Sequence, residues 1–269
     1  MRKYEIINET HPEVPYLKRI RALKDFSDIK KGDLGGFIES EKNLDQEGNC
    51  WLSDNAQVCG DAKVSGNAKV SGNAVVHECA WVFENAEVYG NAVVTGNAMV
   101  YENAEVSGYA KVSGCAKVSG CGVVSGYAKV FGNAKVYGDA VVYGNAQVCD
   151  DVEVSGYAKV SGNAKVFGDA EVSGDAEVCD DVEVYGYAKV TGDAKVTGDA
   201  VVFGYAEICG NAEICDNAEI CEGTWVNGYE KSKPNNNPEI LESLPEEVTS
   251  ITISGITYTK KVTWVAEEK

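Results

Sequence analysis

No run of apolar residues in this chain reaches the roughly 18 needed to cross a bilayer, and the first ten residues hold no apolar h-region. An unsecreted, cytoplasmic protein with no membrane partner is expected. Basic residues are scarce: 24 Lys and Arg stand against 42 Asp and Glu, and the net charge of −18 argues against nucleic-acid binding. Ten cysteines are present, but none in C-x-x-C spacing, which excludes a zinc ribbon and a disulfide framework and leaves free thiols in a reducing compartment. Proline is nearly missing, at 5 residues against 29 glycines, while Val and Ala dominate the apolar set. That balance suits short β-branched strands joined at glycine corners better than helices.

The order within that composition is strict. From Leu52 an aliphatic residue recurs at every sixth position through Val58, Val64 and onward to Ile220 and Val226, 30 positions without an insertion. Two residues before each sits a small residue, usually Ala, and the unit reads A-x-V-x-G-[N/D]. Alternate side chains of a strand share a face, so Ala and Val point inward and the residue between them points out. Gly followed by Asn or Asp supplies the residue types best able to take positive φ at a corner. Three such sides close a triangular coil, and stacked coils pair each strand with those above and below, burying a Val column flanked by Ala. An all-β, single-stranded parallel β-helix of about ten coils follows, a rod on the order of 45 Å long at the usual strand spacing. Inward and outward alternation suits either hand.

The segments Arg19 to Asp28, Lys31-Gly32-Asp33-Leu34-Gly35-Gly36-Phe37-Ile38, Asn43-Leu44 and Gly48 to Ala56 resemble the opening segment of the YdcK-like family of bacterial and prophage proteins. The array after them resembles hexapeptide-repeat proteins in general. The resemblance implies a left-handed triangular helix. Members are commonly labelled acyltransferases or polymer-forming proteins, labels that carry fold more safely than chemistry.

Residues 1–49 break the period and read as a cap over the first coil, with hairpin-like pieces such as Tyr16 to Lys24. Residues 50–226 form the array, 227–239 read as a linker, and 240–269 as a small β-hairpin unit that serves as a C-terminal cap or a tethered module. A 30-residue shift relates Ser125–Val136 to 155–166 and 185–196, which places Tyr127, Tyr157 and Tyr187 on three different corners and points to array duplication.

The charge is uneven. Residues 143–226 carry 4 basic and 17 acidic groups, a net −13, whereas residues 52–142 carry 6 and 8. The bland reading is a solvated surface, the sharper one a docking face for a basic protein or divalent cations. Lys159, Glu177, Lys195 and Glu213 alternate in sign at intervals of 18, as cross-coil ion pairs would, while Asp181 with Asp199 and Asp175 with Asp193 set like charges on adjacent corners. These pairs, with Asp151 and Asp169, are a weak signal for cation binding, and no metal-ligating residue is singled out.

Histidine is the usual base in the acyltransferases the resemblance brings in, and only His11 and His77 are available. Uninterrupted coils also lack the protruding loops that wall such an acceptor pocket. The most irregular hexads run from His77 to Glu84, where Trp81 and Phe83 flank the inward Val82 and face out. One coil on stand Met99 and Tyr101, and Val75 and Val93 stack on the neighbouring side beside His77 and Thr95. Val75, His77, Trp81, Phe83, Val93, Met99 and Tyr101 form the expected interface, with self-association as the leading role. Phe131, Phe167, Tyr185 and Phe203 share a second outward column, read as a stacking ladder that stiffens the rod. A rod without enzymatic activity or cofactor is therefore the first expectation. The alternative is an acyltransferase using acyl-CoA and His77 at a subunit boundary.

Overall fold

The computed structural model describes residues 2–230, 250–253 and 256–259. Two compact units result, Met1–Ser232 and Lys233–Lys269. Within the second, Ser250–Ile253 and Ile256–Thr259 pair as an antiparallel hairpin; Val262 to Trp264, in the segment read as a small β-hairpin unit, lie outside the described residues.

The first unit is a parallel β-solenoid of about ten turns. Two-residue strands recur every six residues from Trp51–Leu52 to Val201–Val202, and each of these pairs in register with the residues 18 on, as Gln57–Val58 does with Val75–Val76 and Val75–Val76 with Val93–Val94. The faces are named here by their first inward residue: Leu52, Val58 and Val64. Every Ala and Val of the inward columns from Ala56 to Val202 is buried, with at most 1% exposure, so the interior is a dry stack of β-branched and methyl side chains. Corners take the left-handed conformation. At Gly162, with φ of +66°, a Cβ would lie 2.5 Å from the backbone nitrogen of Asp180 on the next coil, so both φ and stacking demand glycine.

The coils begin before Leu52. Ile38 pairs with Val58 and Leu44 with Val64, and both are fully buried, so they form the start of a first turn. The stretch from Leu44 to Leu52 is eight residues, not six, and those two extra residues hide this turn from the period. Above it lie β1 (Tyr4–Thr10), β2 (Lys18–Ala22) and β3 (Leu34–Ile38), an antiparallel meander whose last strand runs parallel onto the Val58 face. β3 crosses so closely that a Cβ at Gly36 would sit 2.4 Å from the carbonyl oxygen of Ala56.

Two buried polar side chains fasten this cap. The ammonium of Lys3, fully buried, donates to the carbonyls of Glu47 (3.1 Å), Gly48 (3.4 Å) and Cys50 (3.0 Å). Asn43 Nδ2 donates to the Gly60 and Ala62 carbonyls at 2.9 and 3.0 Å. In the array, carbonyls at such places accept N–H groups from the coil before, as Gly66 does from Asn49 and Cys50. The first corner has no preceding coil, and Lys3 supplies the missing donors.

At the other end the register slips. Ile208 pairs with Trp225, 17 residues on, and Asn211 with Asn227, 16 on. A one-residue slip exchanges faces. Trp225 therefore packs against the core, and Val226, expected inside, is 50% exposed. The strand Thr224–Glu230 also carries paired backbone four residues into the segment read as a linker; residues 231–249 lie outside the described residues.

No disulfide joins any of the ten cysteines. Lys159 and Glu177 pair at 3.1 Å, with Lys195 and Glu213 following in register. Among the described residues no helix is long and apolar enough to cross a membrane.

Candidate functional site

The irregular hexads lie on the Val64 face and on the corner leading into it. Trp81 and Met99 face out in register on adjacent coils, each just before an inward valine, Val82 and Val100. One residue later, Phe83 and Tyr101 stack almost parallel, centroids 5.0 Å apart at 2°, and Trp81 meets Phe83 edge to face at 6.2 Å. Such ring pairs contribute about 0.5–1.5 kcal/mol each beyond burial. Phe83, Met99 and Tyr101 are half-buried, while Trp81 remains 49% exposed. The next rung is Lys117, in register with Met99. The apolar step therefore spans two coils and stops.

Val75 and Val93 stand in register on the preceding face, and beside them His77 Nδ1 lies 3.3 Å from Thr95 Oγ1. A histidine base is normally oriented by a carboxylate. The nearest in sequence, Glu78, is turned away, because its carboxylate accepts the N–H of Gly96 at 2.8 Å. His11 is equally committed: its Nδ1 accepts the N–H groups of Glu13 and Val14, both at 3.2 Å, and its Nε2 lies 3.3 Å from the Gln57 side-chain nitrogen. Phe37 packs edge-on to its ring. Both histidines thus have structural partners.

Glu78 belongs to a device the sequence did not reveal. Glu78, Glu84 and Glu102 occupy left-handed corners with φ of +61°, +59° and +59°, where the consensus places glycine. Each carboxylate accepts a backbone N–H from the corner of the next coil: Gly96 for Glu78, Glu102 for Glu84 (2.8 Å), and Gly120 for Glu102. Asp54, Asp150 and Asp180 do the same with Gly72, Gly168 and Gly198, each at 3.1 Å. A charge-assisted hydrogen bond compensates the strain of positive φ at a residue with a Cβ. What reads in sequence as irregularity around Trp81 is, at the corners, regular structure.

The second aromatic column is stacked as its spacing suggests, Phe167 on Tyr185 at 4.8 Å and Tyr185 on Phe203 at 5.2 Å. Cys149 in that column has its thiol pushed up to about 11 by burial and then by Asp150. It is no nucleophile at neutral pH. Asp151 and Asp181 accept from Asn133 and Asn163 at 3.0 and 2.9 Å, and no group of three or more His, Cys, Asp and Glu among the described residues is disposed to hold a metal ion.

Three stretches of the array, residues 62–78, 86–102 and 134–150, match the family model described as YdcK Beta solenoid repeat. Over 42 residues the chain is 45% identical to a protein of Escherichia coli (strain K12) described as Uncharacterized acetyltransferase YdcK. The match covers 16% of this chain and only 13% of that protein, a small part of its length. Val75 and His77 fall in the first matched repeat and Val93, Met99 and Tyr101 in the second, whereas Trp81 and Phe83 occupy the gap between them. The first unit is a β-solenoid, and three stretches of its array are similar to the YdcK type of repeat.

Proposed function

We propose that this protein is a cytoplasmic structural or interaction rod without catalytic activity, and that one copy docks on a second through Trp81, Phe83, Met99 and Tyr101. The observation that carries this reading is the abrupt aromatic step: a half-exposed Trp81 on a stacked Phe83–Tyr101 pair, confined to two coils. Charge favours a second copy as the occupant. Two chains of −18 repel, but residues 52–142 carry only −2 of that total, so like copies meet here with the least opposition. Burial contributes roughly 25 cal/mol per Å² of apolar area before association costs, and closed symmetry is the usual outcome.

Light scattering on the full chain at micromolar concentration tests this. The wild type should exceed the monomer mass, and Trp81→Glu with Tyr101→Lys should lower it while leaving the β-rich circular dichroism unchanged. A monomeric wild type, or a double variant that keeps its full assembly, overturns the reading.

The description of the Escherichia coli relative favours a second reading, acetyl transfer from an acyl-CoA with His77 at the subunit boundary. Its demands are sharper. Acetyl-CoA should raise the melting temperature of the wild type and not of His77→Ala.

A further inference from the structure

On the edge between the Leu52 and Val58 faces, asparagine side chains form a ladder, each Nδ2 donating to the Oδ1 one coil on. Asn55 donates to Asn73 (3.3 Å) and Asn73 to Asn91 (3.1 Å); further along, Asn145 donates to Asn163 at 3.0 Å. Tyr109 and Tyr127 interrupt this ladder, their rings stacked at 5.0 Å and 4° yet 52% and 60% exposed. Among the described residues the break leaves Asn91 Nδ2 without an acceptor and Asn145 Oδ1 without a donor.

Beside the tyrosines, Lys111 and Lys129 stand in register on adjacent coils of the Val58 face. Lys135, Lys159, Lys165 and Lys189 each find a glutamate one coil away, but Lys111 and Lys129 have no ion pair among the described residues. Like charges placed side by side repel, and a bound anion relieves that repulsion. A groove of about 450 Å³ joins all these groups, with Gln147 at its end. The hydroxyls of Tyr109 and Tyr127 are also unpaired within the described chain, whereas those of Tyr89 and Tyr137 bond to Glu105 and Glu153.

We propose that this groove binds an acidic saccharide, its carboxylates on Lys111 and Lys129 and its ring carbons against Tyr109 and Tyr127. Each group present matches that chemistry. Asn91, Asn145 and Gln147 offer amide donors and acceptors together, which suits neighbouring sugar hydroxyls. Ammonium to carboxylate contacts are charge-assisted, and tyrosine combines an apolar face with a polar tip. From Asn91 to Asn145 the groove crosses three coil intervals, ~14 Å at the usual strand spacing, the reach of a short oligosaccharide. The groove lies on a different edge from the Trp81 step, and its test reads saccharide binding rather than mass, so the two proposals fail separately.

Isothermal titration calorimetry of the full chain with trigalacturonic acid, maltotriose and adenosine monophosphate tests this. Trigalacturonic acid should bind saturably and more tightly than neutral maltotriose. Lys111→Gln with Lys129→Gln, and separately Tyr109→Ala with Tyr127→Ala, should each weaken it about tenfold with unchanged circular dichroism. No saturable heat up to about 10 mM overturns the proposal. So does equal binding of maltotriose, tighter binding of adenosine monophosphate, or variants that bind like the wild type.

Discussion

Replacing Lys3 by Met isolates what the cap contributes, because methionine keeps the apolar stem and removes only the ammonium. The buried Cys50 carbonyl then loses its donor at 3.0 Å, a loss of about 1–3 kcal/mol for a buried acceptor. The Glu47 and Gly48 carbonyls are partly buried, so water replaces much of what they lose. The ammonium also lies 5.4 Å from the Phe26 ring centre, an interaction of about 1 kcal/mol. Sparing the ammonium its desolvation offsets part of this, and the net cost is about 2–3 kcal/mol. Coils contact only their neighbours, so the loss stays local. Amide exchange followed by mass spectrometry should accelerate about 30- to 150-fold in β1 to β3 and the first coil, with the coils around Val130 to Val160 unchanged. Arg2→Met is the control, since its 2.8 Å bridge to Glu41 joins side chains 64% and 47% exposed. Such a bridge is worth little. Equal exchange in the two variants would refute the assignment of Lys3 as the cap's hydrogen-bond donor.

Two further outcomes follow from the inward and outward assignment and from the thiols. Val136→Asp places an unpaired carboxylate in the Val118–Val136–Val154 column and should cost roughly 3–5 kcal/mol, whereas Lys135→Asp, which breaks a half-exposed pair with Glu153, should cost about 1 kcal/mol in denaturant melts; equal losses would sink the assignment. Iodoacetamide at pH 8 should label the exposed Cys79, Cys115, Cys121 and Cys221 first, with buried Cys50 last and Cys149 slow because its thiol titrates at about 11; Cys149 reacting ahead of Cys115 would contradict that environment.

The Ala and Val columns were legible because burial on a flat, repeated side leaves one choice of residue per position, and the period reports that choice directly. The same reasoning failed where a single residue changes the count. Two extra residues before Leu52 conceal the turn begun by Ile38 and Leu44, and the slip beyond Ile208 turns Val226 outward in favour of Trp225. Lys3 was invisible for another reason. A charged residue near a terminus reads as solvated, and only the geometry of an uncapped coil gives its ammonium three carbonyls.

At the candidate sites, spacing found the pairs that stack at 18, such as Trp81 with Met99, and missed what depends on an interrupted ladder. Tyr127 drew attention through its 30-residue relation to Tyr157 and Tyr187, yet its physical partner is Tyr109, one coil before. The distinction bears on function. In a solenoid each outward column is a polymer of side-chain contacts that satisfy one another, as the asparagines, the ion pairs and the corner carboxylates do. Unsatisfied groups arise where a column changes chemistry. The Trp81 step ends at Lys117, and the asparagine ladder breaks at Tyr109. Both breaks set exposed aromatic surface beside stacked lysines, Lys117 with Lys135 and Lys111 with Lys129, and like charges side by side are relieved by a partner of opposite sign, which is why a second molecule is proposed at each of these breaks.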